Sequence, residues 1–325
     1  MENYETRRAR RLKLEQERRQ RRRRTAKKFA WFLVLIVVAV CGFLIWRAIE
    51  NTSSSNQARI ETDKLAEQQK LESSPTYIIK RDLSAQIAAI NQNLGLPGSV
   101  NTSDLPTTNA VAVKLIDLSD KNRGTVDYNG DTQFTSASTY KLFVAYAMIH
   151  AVETGQMKWT SSLNDTTLDN CFNLMITDSD NNCPEAYLSK IGFSKFNSLI
   201  DAIGVSEQTQ FSVDNMRTSA NDLALFLQKL YKGELMTADN QQKLINLMKG
   251  QIYRKGIPAG ILARNQTTGR TDSVADKVGF LDTLLHDAGI VYSGQGDYVL
   301  VIMTNGESWP FIAQLTTWVD GQLGQ

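Results

Sequence analysis

The chain runs to 325 residues, 42% of them hydrophobic, with three cysteines, two histidines and a formal net charge of +2. Two histidines without clustered cysteines leave no donor set for a zinc centre. The charge is unevenly placed. Residues 1–28 hold 13 Lys/Arg against 4 Glu, a net of +9, which leaves −7 for residues 29–325. The basic pI therefore belongs to a tail, and the rest shows neither the aromatic-basic pattern of a nucleic-acid binder nor a phosphate-cradling glycine loop.

Phe29–Trp46 is an uncharged, mostly aliphatic run of 18 residues, about 27 Å long as a helix and so close to the hydrocarbon thickness of a bilayer. Trp31 and Trp46 sit near its ends, as interfacial aromatics do. The basic tail precedes it, so the positive-inside rule predicts residues 1–28 in the cytoplasm and everything after residue 47 outside. A cleaved signal peptide is the rival reading, but the run exceeds the usual 7–15 residues and no A-x-A-like site follows. A nucleic-acid tail is a second rival. Its abutment on the span makes topology and contact with anionic membrane lipid the better explanation. The expected organisation is a tail at 1–28, a transmembrane anchor at 29–47, a polar extracytoplasmic stalk at 48–79 and a globular unit at 80–325. In the stalk Ile60, Leu65 and Leu71 follow neither a heptad nor a helical stripe.

Within the globular unit the pattern predicts a helix over Leu83–Leu94, a strand over Val111–Leu118 and its hairpin partner over Gly124–Tyr128. A long helix follows from about Ser138 to Glu153, then helical segments at Cys183–Ile191, Phe193–Ile203, Ser219–Tyr231 and Asn240–Lys249. Strands return at Val274–Leu281, Ala288–Tyr292 and Tyr298–Thr304, and a helix starts near Pro310. Strands at both ends with helices between imply an α/β (α+β) fold. One antiparallel sheet is closed by N- and C-terminal pieces and flanked by helices, beside an inserted helical lobe. A cleft between the lobes is the expected place for a site.

Three short motifs carry the chemistry. In Ser138-Thr139-Tyr140-Lys141 the hydroxyl and the amine face the same way, three residues apart, at the mouth of a helix apolar on all sides. Burial there would depress the Lys141 pKa and make it a base for Ser138, and the helix N-terminus offers N–H groups to an oxyanion. The plain alternative is an N-cap serine beside a surface lysine. Ser179-Asp180-Asn181 reads as a turn ahead of a helix, able to present a second hydroxyl as proton relay and an amide to hold the lysine and the substrate. Lys277-Val278-Gly279 lies in a strand pattern: the lysine is a cation for a substrate carboxylate or simply an edge-strand charge, and the glycine marks a close approach.

In this order the trio resembles the S-x-x-K, S-D-N and K-(T/S)-G signature of class A β-lactamases and related penicillin-binding proteins. Phe134–Phe143 is similar to the nucleophile segment, Gly256-Ile257-Pro258-Ala259-Gly260 to the approach to the third motif, and Ala275–Gly279 to that motif's strand; the similarity covers roughly residues 80–325. The resemblance implies an acyl-enzyme on Ser138, with Lys141 as base or shuttle and Ser179 as relay to the leaving nitrogen. Asn181 becomes a substrate contact, Lys277 the partner of the substrate carboxylate, and the N–H groups of Ser138 and Phe280, beside Gly279, the oxyanion hole. It implies no cofactor, and a β-lactam or peptidoglycan-derived substrate. Two departures stand out. Val278 lacks the hydroxyl of Thr or Ser, and between Phe193 and Thr218 the only Glu, Glu207, does not fit the family's E-x-x-L-N setting for deacylation; Asp214 is another acid near the expected region. A D-alanyl-D-alanine carboxypeptidase or slow penicillin binder, and a non-catalytic cell-wall-binding module, are the alternatives.

His286-Asp287, placed at an expected hairpin turn, invites a Ser-His-Asp triad, but the lysine already serves Ser138. Arg254 and Arg270 are candidate carboxylate contacts or surface charges. Cys171 and Cys183 flank the second motif in an oxidising compartment; a bridge would close a 13-residue loop and stabilise by roughly 3 kcal/mol. Cys41 lies in the apolar span.

Overall fold

The computed structural model describes residues 75–94, 110–119, 121 and 125–323. The expected tail, anchor and most of the stalk lie outside these residues. No helix among the described residues is long and apolar enough to cross a membrane.

The chain order is α1 (Pro75–Asn93), β1 (Ala110–Asp117), β2 (Thr125–Tyr128), β3 (Phe134–Thr135), a 3₁₀ turn (Ala137–Tyr140), α2 (Lys141–Glu153), β4 (Ser162–Leu163), β5 (Thr166–Thr167), α3 (Leu168–Thr177), α4 (Asn182–Ile191), α5 (Phe193–Asp201), β6 (Gln210–Phe211), β7 (Met216–Thr218), α6 (Ala220–Tyr231), α7 (Ala238–Lys249), α8 (Ile257–Thr268), β8 (Ser273–Leu281), β9 (Leu284–Tyr292), β10 (Tyr298–Asn305) and α9 (Trp309–Leu323). Five strands form the expected antiparallel sheet in the order β2-β1-β10-β9-β8. The N-terminal strand is inserted beside the C-terminal one, Ala110 opposite Asn305.

All eight residues of β10 are buried, because both faces of the sheet are covered. Leu300 and Ile302 pack with Leu83, Ile87 and Ile90 of α1, Ile257 and Ile261 of α8, and Phe311, Ile312 and Leu315 of α9. The alternate residues Val299, Val301 and Met303 share the other core with Phe226 of α6 and most of the apolar residues of α2. The period-2 alternation of a strand thus feeds two cores at once. α2 is the centre of the helical lobe: its residues from Leu142 to Ala145 and from Ala147 to Ile149 are fully buried, and Phe143 meets Phe211 and Phe226 at ring-centroid distances of 5.5 and 5.3 Å.

Several expectations are corrected. The first helix starts at Pro75 rather than Leu83, with proline at its entry where a missing N–H costs nothing. Two helices went unread. α3 is rich in asparagine, but Thr167 caps it by accepting from the Asn170 N–H at 3.2 Å. α8 contains Pro258 and Gly260, both poor helix formers in a helix interior. Pro258 occupies its first turn. Gly260 allows close contact with α9, since a Cβ there would lie 2.5 Å from the Ala313 carbonyl. The β8–β9 hairpin turns at Asp282-Thr283, not at His286-Asp287, both of which lie inside β9.

Cys171 on α3 and Cys183 on α4 are joined by a disulfide, their Cα atoms 5.2 Å apart. It clamps the segment that carries Ser179 and Asn181. In unreduced, denatured protein, thiol titration is expected to find one free cysteine of the three, and replacing both bridge cysteines by serine to lower unfolding stability by about 3 kcal/mol. Three titratable thiols would contradict the bridge.

Candidate active site

The first motif sits where the sheet meets the lobe. β3 is held to the sheet by His286 of β9, whose Nε2 lies 2.9 Å from the Thr135 carbonyl. The Ser136 N–H donates to the Met216 carbonyl of β7 at 2.7 Å, and the Thr139 hydroxyl returns to the Ser136 carbonyl at 2.6 Å. Between these anchors Ala137 adopts φ +44°, a left-handed conformation that an L-residue with a Cβ enters only at a cost. The helix expected from Ser138 begins at Lys141, because residues 137–140 wind as a tighter 3₁₀ turn. That winding eclipses residues three apart. It sets Lys141 Nζ 3.0 Å from Ser138 Oγ.

Lys141 is fully buried. Its Nζ lies within donating distance of four oxygens: Ser138 Oγ at 3.0 Å, Ser179 Oγ at 3.2 Å, the Ser179 carbonyl at 2.6 Å and Asn181 Oδ1 at 2.6 Å. An ammonium has three protons to give. Burial pushes its pKa down to about 8, against the opposing pull of the Asp180 and Glu185 charges. A substantial neutral fraction near pH 8 suits a base for the Ser138 hydroxyl. The second motif reaches the lysine through Ser179, which at φ +59° turns both its hydroxyl and its carbonyl inward. Asp180 then accepts from the Cys183 N–H at 2.9 Å and ties the turn to the start of α4.

The third motif lies on β8, the edge strand of the sheet. Lys277 is fully buried and donates to Ser179 Oγ at 2.9 Å, so one hydroxyl lies between two amines. Burial pushes the Lys277 pKa down to about 7, with the Lys141 charge adding to the effect, while Asp276 and Asp287 hold it up. These carboxylates are themselves buried; desolvation raises both, Asp287 to about 7. Gly279 points the same way as Lys277. A Cβ there would stand 2.9 Å from the Ser136 carbonyl and 3.1 Å from the Ser138 nitrogen, so glycine is what lets β8 lie against the nucleophile turn, as the strand pattern predicted. Val278 is fully buried and does not line the cavity.

A cavity of about 580 Å³ opens beside Ser138, lined also by Asn181, Glu185, Leu188, Phe193, Val213, Asp214, Phe280 and Leu281. A neighbouring hollow of about 640 Å³, lined by residues such as Asp127, Gln133 and Arg217, is polar but holds no nucleophile beside a base. Of the expected residues, Ser138, Lys141, Ser179, Asn181, Lys277 and Gly279 converge through direct contacts, and Phe280 forms part of the rim at 44% exposure. Glu185 escaped the sequence reading. Its signal was present: four residues after Asn181 on a helix, it shares that residue's face. Glu207 is exposed and does not line the cavity, whereas Asp214 does.

The triad reading fails on geometry. Buried His286 accepts the Thr304 N–H through Nδ1 at 3.2 Å and has the Thr135 carbonyl on Nε2. Asp287 accepts the Ile257 N–H at 2.8 Å. Neither touches Ser138. Arg254 and Arg270 are internal ion-pair partners: Arg254 binds Asp276 and donates to the Val274 carbonyl at 3.0 Å, and Arg270 binds Asp320 at 2.7 Å and Asp272 at 2.6 Å. No group of three or more potential metal ligands occurs among the described residues.

The sequence profile of the Beta-lactamase2 family, described as the β-lactamase enzyme family, matches residues 105–318. No curated protein sequence matches the chain. Among solved structures, PBP-A superposes with a TM-score of 0.62 at 22% identity, over 75% of this chain and 96% of its own. A PBP-A variant in acyl-enzyme complex with penicillin G gives 0.62 at 20%, over 75% and 97%. A β-lactamase from Sphaerobacter thermophilus gives 0.62 at 19%, also over 75% and 97%.

Gly279→Ala tests whether close apposition of β8 and the nucleophile turn matters. The added methyl is expected to lower stability by about 1–3 kcal/mol through overpacking and to slow labelling of Ser138 by an acylating probe by about 10²-fold through misplacement. Unchanged labelling in folded protein would count against it.

Proposed function

The chain belongs to the β-lactamase enzyme family, and on that premise we propose that it is a membrane-anchored, extracytoplasmic enzyme whose Ser138 is acylated by a β-lactam or a related cell-wall peptide amide. It is a serine hydrolase acting on amide bonds. The observation that carries the proposal is the unbroken contact path from Ser138 Oγ to Lys141 Nζ to Ser179 Oγ to Lys277 Nζ, at 3.0, 3.2 and 2.9 Å. The anchor rests on the Phe29–Trp46 run and its charged flank.

The steps follow from that path. Neutral Lys141 takes the Ser138 proton as Oγ bonds to the substrate carbonyl carbon. The oxyanion that forms is held by the N–H groups of Ser138 and Phe280. The proton passes through Lys141 and Ser179 to the leaving nitrogen, the C–N bond breaks, and the acyl group stays on Ser138. The Lys141 charge is part of what lowers the Lys277 pKa to about 7, so Lys277 holds its proton better once Lys141 is neutral, and in that charged form it draws a substrate carboxylate towards Ser179. Loss of the Lys141 proton thus relieves the repulsion and leaves one charge over both.

The absence of Glu207 from the cavity lining supports a second reading, a D-alanyl-D-alanine carboxypeptidase or slow penicillin-binding protein in which the acyl-enzyme persists. Fast steady-state hydrolysis of a chromogenic cephalosporin would exclude it.

Mass spectrometry after incubation with penicillin G should show a covalent adduct on Ser138, absent in Ser138→Ala; no adduct with any of several β-lactams would overturn the β-lactam part of the proposal. Lys141→Ala should slow acylation by about 10²–10⁴-fold. The acylation rate should climb between pH 6 and pH 8, because the folded Lys141 pKa is depressed to about 8 and the base gains its neutral form as pH approaches that value. A rate that is flat or falling across that interval would remove Lys141 from the role of base.

A further inference from the structure

Along α4 the cavity wall changes character. Asn181, at the helix start, faces Lys141, while Glu185, one turn on, and Leu188, a further turn on, line the same cavity. Phe193, Val213 and Asp214 complete that end, the last two from the β6–β7 hairpin. No Lys or Arg is among the lining residues, the two site lysines being buried beneath it. Neither the Glu185 nor the Asp214 carboxylate makes a hydrogen bond or ion pair among the described residues. Glu185 is close enough for its charge to act on Lys141.

The direction of this wall follows from the acyl-enzyme reading, on which the inference rests. The leaving group departs towards Ser179 and Lys277, so the acyl part of the substrate extends the other way, past Asn181 and along α4. There it meets apolar side chains bordered by carboxylates that make no direct ion pair. We infer that Glu185 is a specificity-determining residue, assisted by Asp214, and that the acyl-side half of the cleft selects amide substrates whose acyl group carries an amine cation on a short apolar stem. The apolar side chains receive the stem, and the carboxylates attract the ammonium and repel an anionic group at the same place. Because the site is open to solvent the attraction is screened, so the preference is moderate and salt-dependent.

Three penicillins that differ at the α-carbon of the acyl side chain provide the test: benzylpenicillin with no charge, ampicillin with an ammonium and carbenicillin with a carboxylate. Second-order acylation of Ser138 in the full-length protein in detergent is measured at pH 6.5, below the ordinary α-amino range of about 7.7–8.0, and at low and high salt. The expected ratio of ampicillin to carbenicillin is at least about fivefold at low salt, shrinking with salt and in Glu185→Gln, and further in the Glu185→Gln/Asp214→Asn double variant. A ratio near one, or a ratio unmoved by the substitutions, overturns the inference. If no penicillin acylates Ser138, the acylation reading is what fails. Charge preference is then read from protection of Ser138 against a fluorophosphonate by acetyl-lysyl and acetyl-glutamyl peptide amides: stronger protection by the lysyl peptide supports the inference, and equal protection overturns it.

Discussion

Two amines buried against one hydroxyl constrain the rest of this molecule. Lys141 and Lys277 are both fully buried, and both lie within hydrogen-bond distance of Ser179 Oγ. Two ammonium ions so placed would repel each other in a medium that screens poorly. The structure answers in two ways. Burial lowers both pKa values towards neutrality, and the carboxylates of Asp276 and Asp287 stand beneath Lys277 as counter-charges. The same arrangement that makes the lysines costly to bury also makes them able to exchange protons near neutral pH.

Holding that arrangement requires backbone that would not adopt its shape unaided. Ala137 and Ser179, at φ +44° and +59°, flank the reacting hydroxyls, and each is over-determined by its surroundings. The Ala137 turn is pinned by Ser136 to β7 and by Thr135 to His286. The Ser179 turn is pinned by Asp180 to α4 and by the disulfide between Cys171 and Cys183. His286, which as a neighbour of Asp287 suggested a catalytic relay, therefore serves the site from a distance: it anchors the strand that precedes the nucleophile.

Much of the architecture was legible because its signals are local. The alternation of β1, β8 and β10 and the all-apolar face of α2 are properties of consecutive side chains. The missed elements were those whose stability comes from elsewhere. α8, with Pro258 and Gly260, carries its justification on α9, where the Ala313 carbonyl leaves no room for a Cβ. The hairpin turn expected at His286-Asp287 lies earlier because that pair is buried inside β9, where Thr135, Thr304 and Ile257 offer polar partners from other elements. Arg254 and Arg270 likewise depend on partners from other elements, Asp276 on β8 and Asp320 on the last helix.

The sequence by itself determined the chemical inventory of the site and its order along the chain: a hydroxyl and an amine one turn apart, a second hydroxyl with an amide in a turn, and a lysine before a glycine in a strand. These are short-range patterns, and short-range geometry decides which side chains share a face. Only the tertiary structure decided what that inventory can do. Ser138 and Lys141 are separated from Ser179 by about forty residues and from Lys277 by well over a hundred, and the shifted pKa values depend on water being excluded by packing that no local pattern specifies. The same holds for Glu185, an ordinary helix glutamate in the sequence. The fold sets it on the wall of the cleft that holds the nucleophile.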